Sequence, residues 1–150
     1  MADKRLIDFD KEHSLVLIKP DGVRRKLVGE VIRRIEAKGY DIVAMKSLLA
    51  DEEMVRRHYE EHVNKHYFAS LLKYMTDGPV VVIIVEGERV VEGMRALVGA
   101  TNPTLAAAGT IRGDFGRDWG TGLLENIIHC SDSPIAAERE KLIWFPNLES

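Results

Sequence analysis

Four stretches of the chain are apolar and short, as buried strands are. Residues 14–19 (SLVLIK) form a continuous apolar run, which is typical of a central strand covered on both faces. Residues 40–48 (YDIVAMKSL) partly alternate between apolar and polar, and residues 80–85 (VVVIIV) form the longest apolar run. A fourth short strand is predicted over residues 126–130 (NIIHC).

Between these strands, apolar residues recur with the spacing of a helix that buries one face. The predicted helices cover residues 23–35, about 51–62, 67–75, 90–98 and the segment after residue 133. Gly39 follows the first helix as a stop signal, and Asp51 is a suitable N-cap for the second. Ser133 and Pro134 supply a cap and a first-turn proline for the last helix.

The order of elements is therefore β-α-β-α-α-β-α-β-α. It predicts an α/β (α+β) protein with a ferredoxin-like split β-α-β sandwich, in which covering helices pack on a four-stranded antiparallel sheet. A doubly wound parallel sheet is the alternative. Residues 99–122 have no clear period, and a loop of this length in a small domain is usually functional or disordered. We expect a single domain over residues 1–150.

Composition narrows the possible partners and compartment. The chain is 45% hydrophobic and 30% charged, with a net charge of −3, which gives no support for a nucleic-acid or anionic-membrane partner. The only cysteine, Cys130, cannot form an internal disulfide, so a reducing compartment is expected. The first residues (MADKRLIDFDKEH) are too charged for a signal peptide, and VVVIIV is too short to span a bilayer. We expect a cytoplasmic protein.

Two short motif matches carry little weight. Asp114–Gly116 reads DFG, but the other protein-kinase signatures are missing, and the sequence contains neither GxxxxGK[ST] nor GxGxxG. HYEEH, residues 58–62, fits the H-x-x-E-H pattern of zinc hydrolases, with His66 as a third imidazole. A solvated helix face that happens to carry histidines is the favoured interpretation, and we predict no dedicated metal site.

The segment NIIHCSDS, residues 126–133, places an imidazole at the end of a buried strand. A lone histidine there is more often a hydrogen-bonded structural residue than a nucleophile. Glu140 lies eleven residues after His129, where it could hold one ring nitrogen and leave the other free to attack, and Ser131 could bridge the two. Both interpretations stay open from the spacing alone.

Cationic side chains lie near the same predicted edge of the sheet. Lys19 ends the first strand, Arg95 lies on a helix, and Arg112 and Asn126 bracket the aperiodic segment. Such cations would neutralise the charge of a phosphoryl group that is attacked by a neutral imidazole.

Long blocks of the sequence resemble the nucleoside diphosphate kinase family. LIKPDGVRRKLVGEVIRRIEAKGY, GATNPTLAAAGTIRGDF and NIIHCSDS resemble that family's blocks in the same order, from about residue 13 to residue 145. The resemblance implies transfer of the γ-phosphate of a nucleoside triphosphate to a nucleoside diphosphate, by a ping-pong mechanism through a phosphohistidine on His129. It also implies Mg²⁺ bound with the nucleotide phosphates and a homo-oligomer, either a hexamer or a tetramer.

The resemblance also assigns roles to individual residues. It implies that Glu140 and Ser131 orient His129, while Lys19 contacts the phosphates and the ribose 3′-hydroxyl. The remaining nucleotide-binding residues that it implies are Tyr59, Tyr67, Arg95, Thr101, Arg112 and Asn126.

Two departures from the family pattern bear on the site. Tyr67 stands where the family typically has a phenylalanine that stacks on the base, and a phenol ring keeps that stacking face. The segment before NIIH is about four residues longer than usual, at little cost in closure entropy. We expect residues 116–125 to bulge outward, with Trp119 packing on the surface or against a neighbouring subunit. If the longer loop instead displaced Asn126, the protein would be a catalytically weakened nucleotide-binding or regulatory module.

Overall fold

The computed structural model describes residues 7–122 and 125–148. Its four strands are β1 (His13–Ile18), β2 (Asp41–Leu49), β3 (Pro79–Glu86) and β4 (Ile128–Cys130). They form one sheet in the order β2-β3-β1-β4, and every neighbouring pair is antiparallel. The ferredoxin-like prediction is confirmed, and the parallel doubly wound alternative is wrong.

Helices cover both faces of the sheet. They are α1 (Pro20–Arg24), α2 (Val28–Ala37), α3 (Glu52–His58), α4 (Phe68–Thr76), α5 (Val90–Val98), α6 (Ile111–Phe115) and α7 (Pro134–Trp144), with a 3₁₀ turn at Glu60–His62. Leu15 and Leu17 pack towards α3, α4 and α7, whereas Val16 and Ile18 pack towards α2, α5 and α6. This arrangement explains why β1 is apolar at successive positions, since alternate side chains enter two separate cores.

The predicted helix over residues 23–35 is wrong at its start. Helix α1 already begins at Pro20, so the PDG segment is the first turn of a helix rather than a loop. Lys26 then adopts a left-handed φ of 63°, which ends α1 before α2 begins at Val28. The apolar spacing could not show this break, because the apolar residues of α1 and α2, such as Val23 and Val31, pack against the same core.

Residues 58–62 are not the single helix that a zinc-hydrolase motif requires. The Asp51 carboxyl group caps α3 through the Met54 N–H, as predicted, but α3 ends at His58. A separate 3₁₀ turn carries Glu61 and His62. The two histidines therefore do not project from one face of an α-helix. HYEEH lacks the helical arrangement of ligands on which the zinc interpretation depends.

The aperiodic segment contains one regular element that the pattern did not predict. Helix α6 spans only five residues, too few to show a period, and the Thr110 hydroxyl caps it by accepting from the Gly113 N–H. The following strand is shorter than predicted, because Asn126 and Ile127 form a turn before β4 begins at Ile128. In the part of the chain described, no helix is both long and apolar enough to cross a membrane.

Candidate active site

A cavity of about 1120 Å³ opens beside the end of β1 and the short strand β4. Lys19 follows β1, His129 lies in β4, Arg95 lies on α5, Arg112 on α6 and Glu140 on α7. Eight of the residues predicted for the site line this cavity, namely Lys19, Tyr59, Arg95, Thr101, Arg112, Asn126, His129 and Glu140. The fold therefore brings together residues that lie up to 121 positions apart in the sequence.

His129 and Glu140 meet at the back of the cavity. The Nε2 atom of His129 is buried and lies 3.0 Å from Oε2 of Glu140, although the ring is turned away from a well-aligned hydrogen bond. Ser131 does not bridge the two residues, because its hydroxyl donates to the other carboxyl oxygen of Glu140 at 2.7 Å. The same hydroxyl accepts the Leu15 N–H from β1, so Glu140 is fixed to the sheet.

The second ring nitrogen of His129 is the accessible one. Nδ1 has no hydrogen-bond partner among the described residues and, unlike Nε2, is not fully buried. The His129 side chain keeps 21% of its surface exposed, whereas Glu140 is buried. An imidazole held from behind by a carboxyl group can present the opposite nitrogen to a substrate.

His58 is a part of this site that the sequence analysis did not assign. Its ring packs edge-on against His129, with ring centroids 4.4 Å apart, and only 5% of the residue is exposed. The Trp144 indole N–H donates to Nδ1 of His58 at 3.0 Å. Burial, together with the nearby His129 and Lys19, holds the pKa of His58 well below its usual value. His58 is therefore neutral and carries its proton on Nε2.

This tautomer argues against a metal at the same place. His58, His129 and Glu140 each bring one donor atom within 4.8 Å of the others, which is a spacing that a metal ion could bridge. A metal bound at Nε2 of His58 would require the proton on Nδ1, where the indole N–H already points. The hydrogen bond from Trp144 therefore opposes coordination by His58.

Lys19 and Asn126 form a buried pair at the cavity wall. The Lys19 ammonium donates to Oδ1 of Asn126 at 2.7 Å, and the Asn126 amide donates to the Thr101 carbonyl at 3.1 Å. Burial, with the Arg112 charge as a second cause, lowers the pKa of Lys19 to about 8. Burial destabilises the charged form of this lysine. An anionic ligand would stabilise the charged form, because its negative charge compensates for the lost solvation.

Arg112 is held by the backbone that surrounds the cavity. Its guanidinium donates to the carbonyls of Asn126, Ile128 and Gly99, at 3.3, 2.6 and 3.0 Å. Burial lowers the pKa of Arg112, but an arginine keeps its charge at any physiological pH. This side chain therefore holds the backbone of Asn126 and Ile128 in place at the start of β4. It also places a positive charge in the cavity.

The two predicted tyrosines lie in different places. Tyr59 lines the cavity, and burial raises the pKa of its hydroxyl, so the phenol stays protonated. Tyr67 is not part of the described cavity wall and keeps 37% of its surface exposed. Its hydroxyl contacts Nδ1 of His62, which does line the cavity. Tyr67 thus lies behind His62 as seen from the cavity, and its role in stacking on the base stays a prediction.

Trp119, in the lengthened segment, lies on the surface as predicted. The Trp119 residue is 43% exposed, and the guanidinium carbons of Arg25 and Arg117 lie 5.3 and 4.2 Å from its ring centroid. It is absent from the described cavity wall. Asn126, which follows the segment, keeps its contact with Lys19. The end of the segment, residues 123 and 124, lies outside the described residues.

The fold and this cavity together define a nucleotide phosphotransferase, in which cations surround an accessible imidazole. Comparison with known proteins gives the family: the sequence model of nucleoside diphosphate kinase matches residues 12–150. The chain is 56% identical over 137 residues to the nucleoside diphosphate kinase of Thermobifida fusca, covering 91% of this chain and 98% of that protein. It is 54% identical to the enzyme of Archaeoglobus fulgidus, over 92% and 89% of the two chains.

Solved structures agree with the sequence comparison. A halophilic nucleoside diphosphate kinase from Halobacterium salinarum, in complex with CDP, superposes with a TM-score of 0.85 at 42% identity, covering 90% of this chain and 88% of that one. The chain belongs to the nucleoside diphosphate kinase family. It transfers the γ-phosphate of a nucleoside triphosphate to a nucleoside diphosphate through a phosphohistidine, and the alternative of a weakened regulatory module is not favoured. Kinases of this kind generally need a divalent cation.

Proposed function

We propose that His129 is the residue that is phosphorylated, and that Nδ1 is the attacking atom. The observation that supports this assignment is the difference between the two ring nitrogens. Nε2 is buried 3.0 Å from the Glu140 carboxyl group, whereas Nδ1 is accessible and unpaired among the described residues. Glu140, itself held by Ser131, positions the imidazole and stabilises the charge that the ring gains when it is phosphorylated.

In the first half-reaction, the Nδ1 lone pair of His129 forms a bond to the γ-phosphorus. The bond between that phosphorus and the bridging oxygen breaks, and the nucleoside diphosphate leaves with the electron pair. In the second half-reaction, a terminal oxygen of another nucleoside diphosphate attacks the same phosphorus, and the bond to Nδ1 breaks. Attack through Nδ1 leaves the ring with a positive charge, and the Glu140 carboxyl group, 3.0 Å from Nε2, stabilises that charge.

We assign nucleotide binding to the cations and polar groups of the cavity wall, with one aromatic residue at its edge. The residues are Lys19, Tyr59, Tyr67, Arg95, Thr101, Arg112 and Asn126. Lys19 and Asn126 would hold the ribose and the phosphates, while Arg95 and Arg112 would neutralise the phosphoryl group in transfer. The solved Halobacterium relative with CDP supports a nucleoside diphosphate as the ligand class.

The divalent cation that we propose is Mg²⁺, bound through the nucleotide phosphates. Exposed carboxyl groups of Glu61 and Asp132 line the cavity, and they could accept hydrogen bonds from the water ligands of such an ion. The ion would neutralise the β- and γ-phosphates. Exchange should therefore stop without Mg²⁺ and should continue when a zinc-selective chelator is added in excess Mg²⁺.

We further propose a homo-oligomer, either a hexamer or a tetramer, in the cytoplasm. Strand β2 is at the edge of the sheet and exposes Met45 and Leu49, and Leu105 is 76% exposed near the cavity. Exposed apolar side chains and a free strand edge are features that subunit contacts cover. Sedimentation equilibrium would distinguish the two assemblies. The proposal of a cytoplasmic protein is supported by the single cysteine, Cys130, which is a free thiol and cannot form an internal disulfide.

Incubation with a γ-labelled triphosphate tests the assignment of His129. The label should be acid-labile and base-stable, and it should be absent from His129→Ala. His66→Ala is the matched control, because His66 is an exposed histidine outside the cavity wall, and this variant should label normally. Isolated labelled protein should then convert an added diphosphate to the triphosphate. Normal labelling of His129→Ala would overturn the assignment.

A further inference from the structure

The turn that leads into β4 has an unusual backbone conformation. Ile127 has a φ of 73°, in the left-handed region that β-branched residues rarely adopt. The Ile128 N–H donates to the Asn126 carbonyl at 2.7 Å, so Ile127 is the centre of a three-residue γ-turn. The Ile127 side chain is fully buried. A strained residue of this kind persists only where its surroundings hold it in place.

The PDG segment and its neighbour Lys19 supply those surroundings. The Ile127 N–H donates to Oδ2 of Asp21 at 3.1 Å, and the Ile127 carbonyl accepts the Lys19 N–H at 2.7 Å. Gly22 makes the approach possible, since a Cβ there would lie 2.9 Å from Cγ2 of Ile127 and 3.0 Å from its oxygen. Asp21 is only 2% exposed, and its other oxygen accepts from the Tyr74 hydroxyl.

The turn determines where the neighbouring Asn126 points. The side chain of Asn126 joins the Lys19 ammonium to the Thr101 carbonyl across the cavity wall. His129 depends on other contacts, because it pairs with Leu17 in the sheet and meets Glu140 through α7. Loss of the Asp21 contact should therefore disturb Asn126 more than His129.

We propose that Asp21 is a positioning residue for nucleotide binding, which acts through the strained turn at Ile127 on Asn126. This inference rests on the proposed role of Asn126 in binding the nucleotide. Asp21 itself does not line the described cavity wall, so it acts without touching the substrate.

The test compares ADP affinity with turnover in Asp21→Ala. The dissociation constant for Mg·ADP, measured by calorimetry, should rise by about tenfold, the effect of losing one hydrogen bond to a charged group. The rate of His129 phosphorylation at saturating ATP should change much less. Asp21→Asn should restore most of the affinity, because its amide oxygen still accepts the Ile127 N–H. Tyr74→Phe is the matched control, since it removes the other contact of Asp21 and leaves the turn intact.

A double-mutant cycle separates positioning from a general structural effect. If Asp21 acts through Asn126, then Asp21→Ala should add little to the loss of affinity in Asn126→Ala. Additive losses, or unchanged affinity in Asp21→Ala, would overturn the inference. If Asp21→Ala does not fold, Gly22→Ala is the second variant, because its Cβ would contact and displace Ile127. Its loss of affinity should likewise add little to the loss in Asn126→Ala. The calorimetric affinity for Mg·ADP tests the role of Asp21 independently of phosphorylation. Failure of His129 to take up label would refute the proposed function and would leave this affinity test valid.

Discussion

Replacement of Lys19 by methionine should stabilise the nucleotide-free protein while it weakens nucleotide binding. The ammonium is buried, and its pKa falls from 10.5 to about 8, chiefly through desolvation. Because one pKa unit corresponds to about 1.4 kcal/mol, the folded protein carries this charge at a penalty of about 3 kcal/mol at pH 7. Methionine removes the charge but loses the hydrogen bond from the ammonium to Asn126, which is worth about 2 kcal/mol because the donor is charged.

The expected net gain in the free energy of unfolding is about 1 kcal/mol, or about 3 °C in Tm for a chain of this size. The gain should depend on pH in a defined direction. Between pH 8 and 10.5 the unfolded chain binds the lysine proton and the folded protein does not, so the native protein becomes more stable as pH rises. The advantage of the methionine variant should therefore fade across this range.

Calorimetric unfolding of both proteins without nucleotide, at pH 7 and pH 10, measures this effect. Lys38→Met removes an exposed lysine and should change the free energy of unfolding by no more than about 0.5 kcal/mol at either pH. Titration with Mg·ADP at pH 7 should show binding at least about tenfold weaker for Lys19→Met. A methionine variant that is less stable at pH 7, by an amount that does not change with pH, would refute the reasoning.

Variants at two further residues, His58 and Trp119, test contacts in and near the site. His58→Phe should lower the free energy of unfolding by about 1–3 kcal/mol, because the buried indole N–H of Trp144 loses its acceptor. His58→Asn should restore part of the lost stability, and urea titrations measure both variants. Since the pKa of His58 is lowered in the folded state, the native protein should lose stability as pH falls below about 6.5, and His58→Phe should lose less. Trp119→Ala should leave the exchange rate within about twofold, because this surface side chain contacts Arg25 and Arg117 outside the cavity wall. A large rise in the Michaelis constant would contradict the outward placement of Trp119.

The sequence by itself determined the existence and order of the strands, most of the helices and the spacing that lets Glu140 approach His129. The apolar run of β1 is continuous because both faces of the sheet are covered, and this leaves a clear signal in the residues. His129 and Glu140 are joined by a capped turn and about two turns of α7, so the spacing allows their contact, and the packing of α7 on the sheet completes it. The cap at Ser133 was predictable for the same reason.

Other features depended on the tertiary structure, because they join segments far apart in the chain. The tautomer of His58 is decided by Trp144, 86 residues away, and the left-handed Ile127 is held by Asp21, 106 residues away. Neither contact leaves a periodic signal, since each is a single hydrogen bond between segments far apart in the chain. The sequence also could not show that α3 stops at His58, where the edge-on packing against His129 holds the ring inside the cavity wall. Periodicity reports which side of an element is buried, and only the packed structure decides which polar atoms meet there.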